Sequence, residues 1–265
     1  MAFRLHMGQG KSRQTISEMR HIWDAYWTRN QGTELCESTL NWQMVKQHIK
    51  PPERVLEAGC GQARWVKFLC DKGFDAYGID FSPVAIETAQ RKWPELKDKL
   101  SMGDLRKMPY EDNFFDAIVS FGAIEHDEEG PQDALHDMLR VLKPGGVLYC
   151  TVPCMNRLRV MGTMALVDWV VCNRTIRRWT GRDPEVAFFE YVFYRREYRR
   201  VMQEAGFEVL GVHPLTVGQG FIGRKIIIDT ILYKIVQAFH RVTPWTFAHM
   251  MAAICRKPAT TCVPR

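Results

Sequence analysis

Short apolar runs alternate with amphipathic segments along most of this 265-residue chain. The runs predict seven strands, near residues 54–58, 74–79, 99–102, 114–121, 145–152, 207–213 and 246–256. Between them lie segments that predict helices, such as residues 63–71 and 195–205. Strands that alternate with helices are typical of an α/β fold in which helices cover both faces of a mostly parallel sheet. The pattern therefore predicts a doubly wound α/β sheet.

The first predicted strand ends in an acidic residue that is followed by closely spaced small residues, Glu57-Ala58-Gly59-Cys60-Gly61-Gln62-Ala63. Glycines such as Gly59 and Gly61 let the backbone approach a ligand closely. Glu57 would repel a pyrophosphate, whereas it would attract a cationic amino group. Arg64 also stands where a dinucleotide motif needs its last glycine. The turn therefore predicts a nucleotide-type cofactor that carries no phosphate.

The next two strand ends supply further ligands for such a cofactor. Asp80 follows Gly61 by 19 residues and ends the second strand, where a carboxylate can bind both ribose hydroxyls. Phe81 can lie against an adenine face. After the third strand, Asp104 offers a carboxylate and Leu105 a backbone amide to the adenine edge.

Five ordered motifs resemble the class I S-adenosylmethionine-dependent methyltransferases over about residues 53–153. They are the glycine turn, Gly-Ile-Asp-Phe-Ser-Pro at 78–83, Gly103-Asp104, Glu125-His126, and Leu-Lys-Pro-Gly-Gly at 142–146. The sequence departs from that family at Ala63, where a third glycine is expected. The resemblance implies a Rossmann-like sheet of seven strands, the last antiparallel, and S-adenosyl-L-methionine as the cofactor.

The resemblance also assigns roles near both ends of the cofactor. A helix before the first strand often folds over the methionine end in that family, so Tyr26 or Trp27 is expected to contact the cofactor. Packing explains Trp23 on the same helical face equally well. Phe121, at the end of the fourth strand, completes the predicted cofactor-binding set. No metal site is predicted.

His126 is the candidate catalytic base, because a hydroxyl acceptor must lose a proton and His126 follows the fourth strand. Oxygen is accordingly the expected acceptor atom, and transfer would be an in-line displacement. A structural role for His126, in positioning a helix, is the alternative. His213 and Tyr194 are weaker candidates, and an amine or thiolate acceptor would need no dedicated base.

Positive charge is concentrated in the C-terminal part of the chain. Residues 155–265 carry 17 Lys or Arg against 8 Asp or Glu, a net +9, whereas residues 1–154 carry 19 against 22, a net −3. Ten arginines lie within residues 155–200, interleaved with aromatic residues. This composition favours an anionic or amphipathic small-molecule acceptor. Four of the arginines are explained more simply as the solvated face of a helix: Arg195, Arg196, Arg199 and Arg200.

These features divide the chain into four predicted parts. Residues 1–50 hold a tail and cap helices, and residues 51–154 hold the cofactor-binding α/β core. Residues 155–193 form a basic, aromatic, helical insert on the acceptor side. Residues 194–265 complete the sheet and include an apolar helical segment at 214–245.

Two apolar stretches need a covering surface. Residues 160–172 are too few to span a membrane and fit a lid or interfacial helix. For residues 226–239, core packing is the first interpretation, a homodimer interface the second and peripheral membrane contact the third. The start of the chain, Met1 to Thr15, lacks the apolar run of a secretory signal, so a cytoplasmic protein is expected.

Three other functions compete with an active small-molecule methyltransferase. A nucleic-acid methyltransferase would use the positive charge, but the chain has no appended RNA-binding module and no Asn-Pro-Pro-Tyr type motif. A binding protein that kept the cofactor pocket and lost turnover would also retain Glu57, Asp80 and Asp104. A nicotinamide oxidoreductase would bind NADH. The eight cysteines include no Cys-x-x-Cys pair, which disfavours structural zinc and a disulfide framework.

Overall fold

The computed structural model describes residues 3–7, 16–29, 40–156, 188–215, 243–248 and 250–259. In these ranges the strands are β1 (Phe3–Met7), β2 (Arg54–Ala58), β3 (Asp75–Asp80), β4 (Leu100–Met102), β5 (Phe115–Phe121), β6 (Leu142–Pro153), β7 (Phe188–Val192), β8 (Glu208–Leu215) and β9 (Met250–Arg256). Seven of them form one sheet in the order β4-β3-β2-β5-β6-β9-β8. β9 runs antiparallel to both of its neighbours. The predicted doubly wound sheet with an antiparallel last strand is confirmed.

The described α-helices are α1 (Ile16–Arg29), α2 (Leu40–Val45), α3 (Arg64–Asp71), α4 (Pro83–Lys92), α5 (Gln132–Val141), α6 (Arg195–Glu204) and α7 (Pro244–Phe247). Two 3₁₀ turns span Pro94–Lys99 and Ile124–His126. α4 begins where the sequence predicts, because the Ser82 hydroxyl accepts the Ala85 N–H at 3.1 Å and Pro83 occupies the first turn.

The sheet is buried on both faces, which explains the continuous apolar runs of its central strands. Along β5, Ile118 contributes to the core on the side of α5 and α6, whereas Ala117 and Val119 contribute to the opposite core, on the side of α2, α3 and α4. All three side chains are almost fully buried. This two-sided packing holds the carboxyl ends of β2, β3 and β5 in fixed positions, and the candidate site lies there.

A second, two-stranded sheet was not expected. β1 pairs antiparallel with β7, with Phe3 opposite Val192 and Met7 opposite Phe188. We expected residues 1–50 to hold a tail and cap helices and residues 155–193 to be a helical insert, so the strands at residues 3–7 and 188–192 differ from the prediction. The physical reason is long-range strand pairing, which local helical patterns do not report. Residues 157–187 of the insert, which include the apolar stretch 160–172, lie outside the described residues. The apolar stretch 226–239 also lies outside them.

α6 agrees with the simpler interpretation of its arginines. Tyr198, Val201 and Met202 are buried against the sheet, while Arg195, Arg196 and Arg200 are exposed. The arginines of this helix therefore form mainly a solvated face. The remaining six arginines of residues 155–200 lie outside the described residues.

Candidate functional site

The loop after β2 is held tightly against β3. The backbone N–H groups of Gly59 and Cys60 both donate to the Ile79 carbonyl, at 2.9 and 3.0 Å. Gly59 and Gly61 adopt positive φ, 79° and 51°, which favours glycine. Ala63 also has a left-handed φ of 55°, so the structure uses this conformation at the position where the family has a third glycine. Alanine accepts it at a cost of about 1–2 kcal/mol.

Asp80 lies directly under this loop. One carboxylate oxygen accepts the Gly61 N–H at 2.7 Å, and the other accepts the Ser82 N–H at 2.9 Å. The side chain is buried, and burial raises the pKa of Asp80 although these N–H groups oppose the shift. A carboxylate has about four lone-pair sites, so acceptor capacity remains for further donors.

Glu57 occupies the neighbouring strand end and is 4% exposed. Its carboxylate accepts the Val66 N–H in the first turn of α3 at 3.1 Å. Burial raises the pKa of Glu57 well above its ordinary value, and the charge of Arg64 only partly offsets this. Burial likewise raises the pKa of the Cys60 thiol, which suits a packing role rather than a nucleophilic one.

α1 crosses the carboxyl edge of the sheet and contacts the segments that follow β2, β3 and β5. The region between α1 and these three strand ends is called the crevice. The Trp27 indole rests on Gly61 so closely that a Cβ there would lie 2.3 Å from the ring. The Trp23 ring meets His126 edge-on at 4.8 Å, and Asp24 accepts a hydrogen bond from the Ser82 hydroxyl. Tyr26 is 42% exposed, and its ring meets the Trp27 ring edge-on at 5.0 Å.

The loops after β3 and β4 bring Phe81, Asp104 and Leu105 to the same edge. The Arg20 guanidinium of α1 stacks over Phe81, 4.9 Å from the ring centre. Asp104 is ion-paired with Arg106, whose Nη2 lies 2.6 Å from Oδ2. Leu105 is half-buried and packs against the core.

The turn after β5 carries the candidate base. His126 ends a 3₁₀ turn, and its side chain is 14% exposed. The neighbouring Glu125 is buried, and burial raises the pKa of Glu125 well above its ordinary value. Its carboxylate lies 4.0 Å from His126 Nε2. Phe121 stacks on Trp65 at 4.5 Å, so it closes the crevice on the α3 side.

The weaker base candidates lie apart from this group. His213 is exposed on β8, and three strands separate β8 from β2. Burial and the neighbouring cations Arg195, His48 and Arg199 lower the pKa of His213. Tyr194 is 39% exposed just before α6. The structure therefore groups His126, and not these two, with the glycine loop.

Sequence reasoning missed the residues that join the loops. Asp24 and Trp65 act through contacts between distant segments, and no local pattern marks them. Ser82 belongs to the motif at 78–83, but its hydrogen bond to Asp24 was not predicted. Arg106 carried one signal, since it lies two residues from the predicted ligand Asp104.

The described residues include no cluster of three or more His, Cys, Asp or Glu side chains able to hold a metal ion. None of their helices has the length and hydrophobicity needed to cross a bilayer.

A doubly wound sheet with a glycine loop and acids at successive strand ends defines the Rossmann-like methyltransferase class. A family model described as a methyltransferase domain matches residues 56–150. Residues 56–150 thus match a methyltransferase domain, and the chain resembles the class I S-adenosylmethionine-dependent methyltransferases.

Two proteins of similar sequence and one of similar structure resemble this chain. The demethylmenaquinone methyltransferase of Renibacterium salmoninarum is 37% identical over 99 residues, which cover 37% of this chain and 40% of that protein. The chain thus matches less than half the length of this relative. The demethylmenaquinone methyltransferase of Bacillus mycoides is 29% identical over 189 residues, covering 64% and 76% of the two chains. A solved S-adenosylmethionine-dependent methyltransferase of Methanosarcina mazei shares the fold, with a TM-score of 0.58, 18% identity and coverage of 82% and 98%.

Proposed function

We propose that this protein transfers the methyl group of S-adenosyl-L-methionine to a lipid-linked or amphipathic small molecule. The proposal rests on the position of Asp80, whose buried carboxylate lies beneath the glycine loop and can accept further hydrogen bonds. A phosphate-free adenosyl compound supplies the matching ribose hydroxyls, whereas a pyrophosphate would meet a second buried acid, Glu57.

The residues of the crevice fit this cofactor. Gly59 and Gly61 let Ala123 and Trp27 approach the backbone of the loop, since an added Cβ would lie 2.5 Å from Ala123 or 2.3 Å from Trp27. Asp80 would bind the ribose, Asp104 and Leu105 the adenine edge, and Phe81 the adenine face. Glu57 would attract the amino group of the methionine end. Trp27 and Phe121 would cover the cofactor, and Tyr26 would contact it from the exposed side.

Bound cofactor supplies a methyl group that its positive sulfonium already activates, so displacement needs alignment and a dry site. The chain provides both, because α1 covers the edge of the sheet and Trp23 holds the ring of His126. His126 would take the proton from a hydroxyl acceptor as the methyl group arrives, which makes oxygen the proposed acceptor atom.

The acceptor class rests on two further considerations. Both named relatives are demethylmenaquinone methyltransferases, which favours a quinone-type, lipid-linked acceptor. The basic and aromatic residues predicted in the insert suit a molecule with an apolar tail and a polar head. A cytoplasmic protein with peripheral membrane contact would reach such an acceptor, and a homodimer is not required for this proposal.

The test uses S-adenosylmethionine labelled in its methyl group and a cell extract as the acceptor source. The products are separated into solvent-extractable lipids, tRNA and water-soluble metabolites, and the Asp80→Ala variant serves as the inactive control. We expect label in the lipid fraction with wild type only, and nuclear magnetic resonance of the product identifies the methylated atom. Label in tRNA would support a nucleic-acid methyltransferase instead. Cofactor binding without label in any fraction would support a non-catalytic binding protein.

A further inference from the structure

One arginine of the β4–β5 loop fixes the orientation of Asp104. The Arg106 Nε lies 3.0 Å from each carboxylate oxygen, and Nη2 donates to Oδ2 at 2.6 Å. The Arg106 backbone N–H also donates to Oδ1, at 2.9 Å. A planar guanidinium that engages both oxygens holds a carboxylate far more firmly than a single contact does.

The same guanidinium reaches a second acid on a different loop. Arg106 Nη1 lies 3.7 Å from Asp127 Oδ2, and the two side chains are 24% and 14% exposed. Asp127 directly follows His126 and accepts the Glu129 N–H at 3.0 Å. Two carboxylates therefore share one arginine at the carboxyl edge of the sheet.

The Asp104 loop is also anchored to the end of β3. The Gly103 N–H donates to the Asp80 carbonyl at 2.9 Å, and the Lys107 N–H donates to the Asp104 carbonyl at 3.1 Å. Asp104 is thereby held next to the acid that we assign to the ribose, which is where an adenine base would lie.

Arg106 also lowers the pKa of Asp104. Burial alone would raise the pKa of Asp104, but the hydrogen bonds from Arg106 outweigh it, so that this pKa lies below its ordinary value. Burial raises the pKa of Asp127, and the nearby charge of Asp104 adds to that rise. Without Arg106, the two carboxylates would repel each other, and Asp104 would lose the hydrogen bonds that hold its orientation.

The geometry points to Arg106 as a positioning residue that selects the adenine base. It holds both oxygens of Asp104 in one orientation, so that this carboxylate accepts a hydrogen bond from the 6-amino group of adenine. A freely rotating Asp104 would make this hydrogen bond more weakly, so it would discriminate less strongly against a carbonyl at that position. This inference rests on the proposed function, because it assumes that an adenosyl cofactor occupies the crevice.

The experiment compares the affinity for S-adenosylhomocysteine with that for its hypoxanthine analogue, in which a carbonyl replaces the 6-amino group. The wild type should prefer adenine by about tenfold or more, since a site built to bind an N–H group rejects an analogue without it. Arg106→Gln should reduce this preference to about threefold or less, while Arg106→Lys, which keeps the charge, should retain part of it.

Arg54→Gln is the matched control, because Arg54 forms an ion pair with Asp75 at the amino ends of β2 and β3, opposite the crevice. It should leave the base preference unchanged even where it lowers the melting temperature. Melting temperatures of all variants distinguish a loss of folding from a loss of the preference for adenine.

The outcomes distinguish the two proposals. A wild type that binds neither compound defeats the proposed function and this inference together. A wild type that prefers adenine, combined with an Arg106→Gln variant of unchanged or stronger preference, overturns the role of Arg106 alone. Equal affinity of the wild type for both bases would overturn it as well.

Discussion

Glu57 and Asp80 lie near the ends of neighbouring strands, and water reaches neither side chain freely. Burial raises the pKa of both groups, most strongly that of Glu57. Such carboxyls hold their protons more tightly than exposed ones, and a cationic ligand reverses that preference. Cofactor binding and proton exchange are therefore linked at this site.

Asp80→Ala should weaken the binding of S-adenosylhomocysteine by about 2–4 kcal/mol, because two charge-assisted hydrogen bonds to the ribose are lost. Isothermal titration calorimetry measures this directly. Asp75→Asn is the control, since Asp75 begins the same strand and pairs with Arg54 and Lys99 away from the crevice. Unchanged affinity in the Asp80 variant would show that this carboxylate is not the ribose ligand.

Cofactor binding should release a proton from Glu57. Burial raises the pKa of Glu57 in the free protein well above its ordinary value. An ammonium group beside it would lower that pKa, so affinity should rise as the pH increases toward the raised pKa and level off above it. Titrations in buffers of different ionisation enthalpy measure the release, and Glu57→Gln should abolish it. Equal enthalpies in all buffers with the wild type would contradict this assignment.

His126→Ala should lower the turnover number by roughly a hundredfold if His126 is the base. His136→Ala is the control, because His136 is exposed on α5 outside the crevice. Steady-state rates with the identified acceptor provide the measurement. A small loss confined to KM would instead indicate that His126 positions α1 through Trp23.

Among the elements, α1 has the most direct relation to the crevice. It is anchored at the end of β3 through Asp24 and Ser82, over the glycine loop through Trp27, and at the turn after β5 through Trp23. Because its contacts span all three strand ends, a ligand that enters the crevice must change the surroundings of Trp27.

S-adenosylhomocysteine should therefore change the tryptophan fluorescence of the protein, and Trp27→Phe should remove most of that change. Trp93→Phe is the matched control, since Trp93 follows the C-terminal end of α4, remote from the loop. A full response in the Trp27 variant would mean that α1 does not cover the bound cofactor.

At the scale of the whole molecule, periodicity predicts the strands and helices, because each strand is a buried apolar run and each crossover helix is amphipathic. The family resemblance implies that seven strands form one sheet. The glycine loop and Asp80 were also predictable, since their spacing follows from neighbouring parallel strands. The β1–β7 pair was not, because it joins segments separated by most of the chain. The alternation of Phe3, Leu5 and Met7 with polar residues was its one local sign.

The sequence also does not predict the contacts between loops. The pattern predicts that Asp104 lies near the cofactor, but Arg106 could have pointed to solvent. Only the folded loops bring Asp127 to 3.7 Å from its guanidinium. Likewise, helical spacing places Trp23 and Trp27 on one face, yet does not predict that they meet His126 and Gly61.

The central claim is that this crevice accepts a phosphate-free, cationic adenosyl compound and rejects a dinucleotide. Calorimetric titration of the full chain with S-adenosylmethionine, and separately with NADH, tests it most directly. We predict saturable binding of S-adenosylmethionine that Asp80→Ala weakens, and no binding of NADH. Binding of NADH, or no detectable binding of S-adenosylmethionine to the folded protein, would contradict the account.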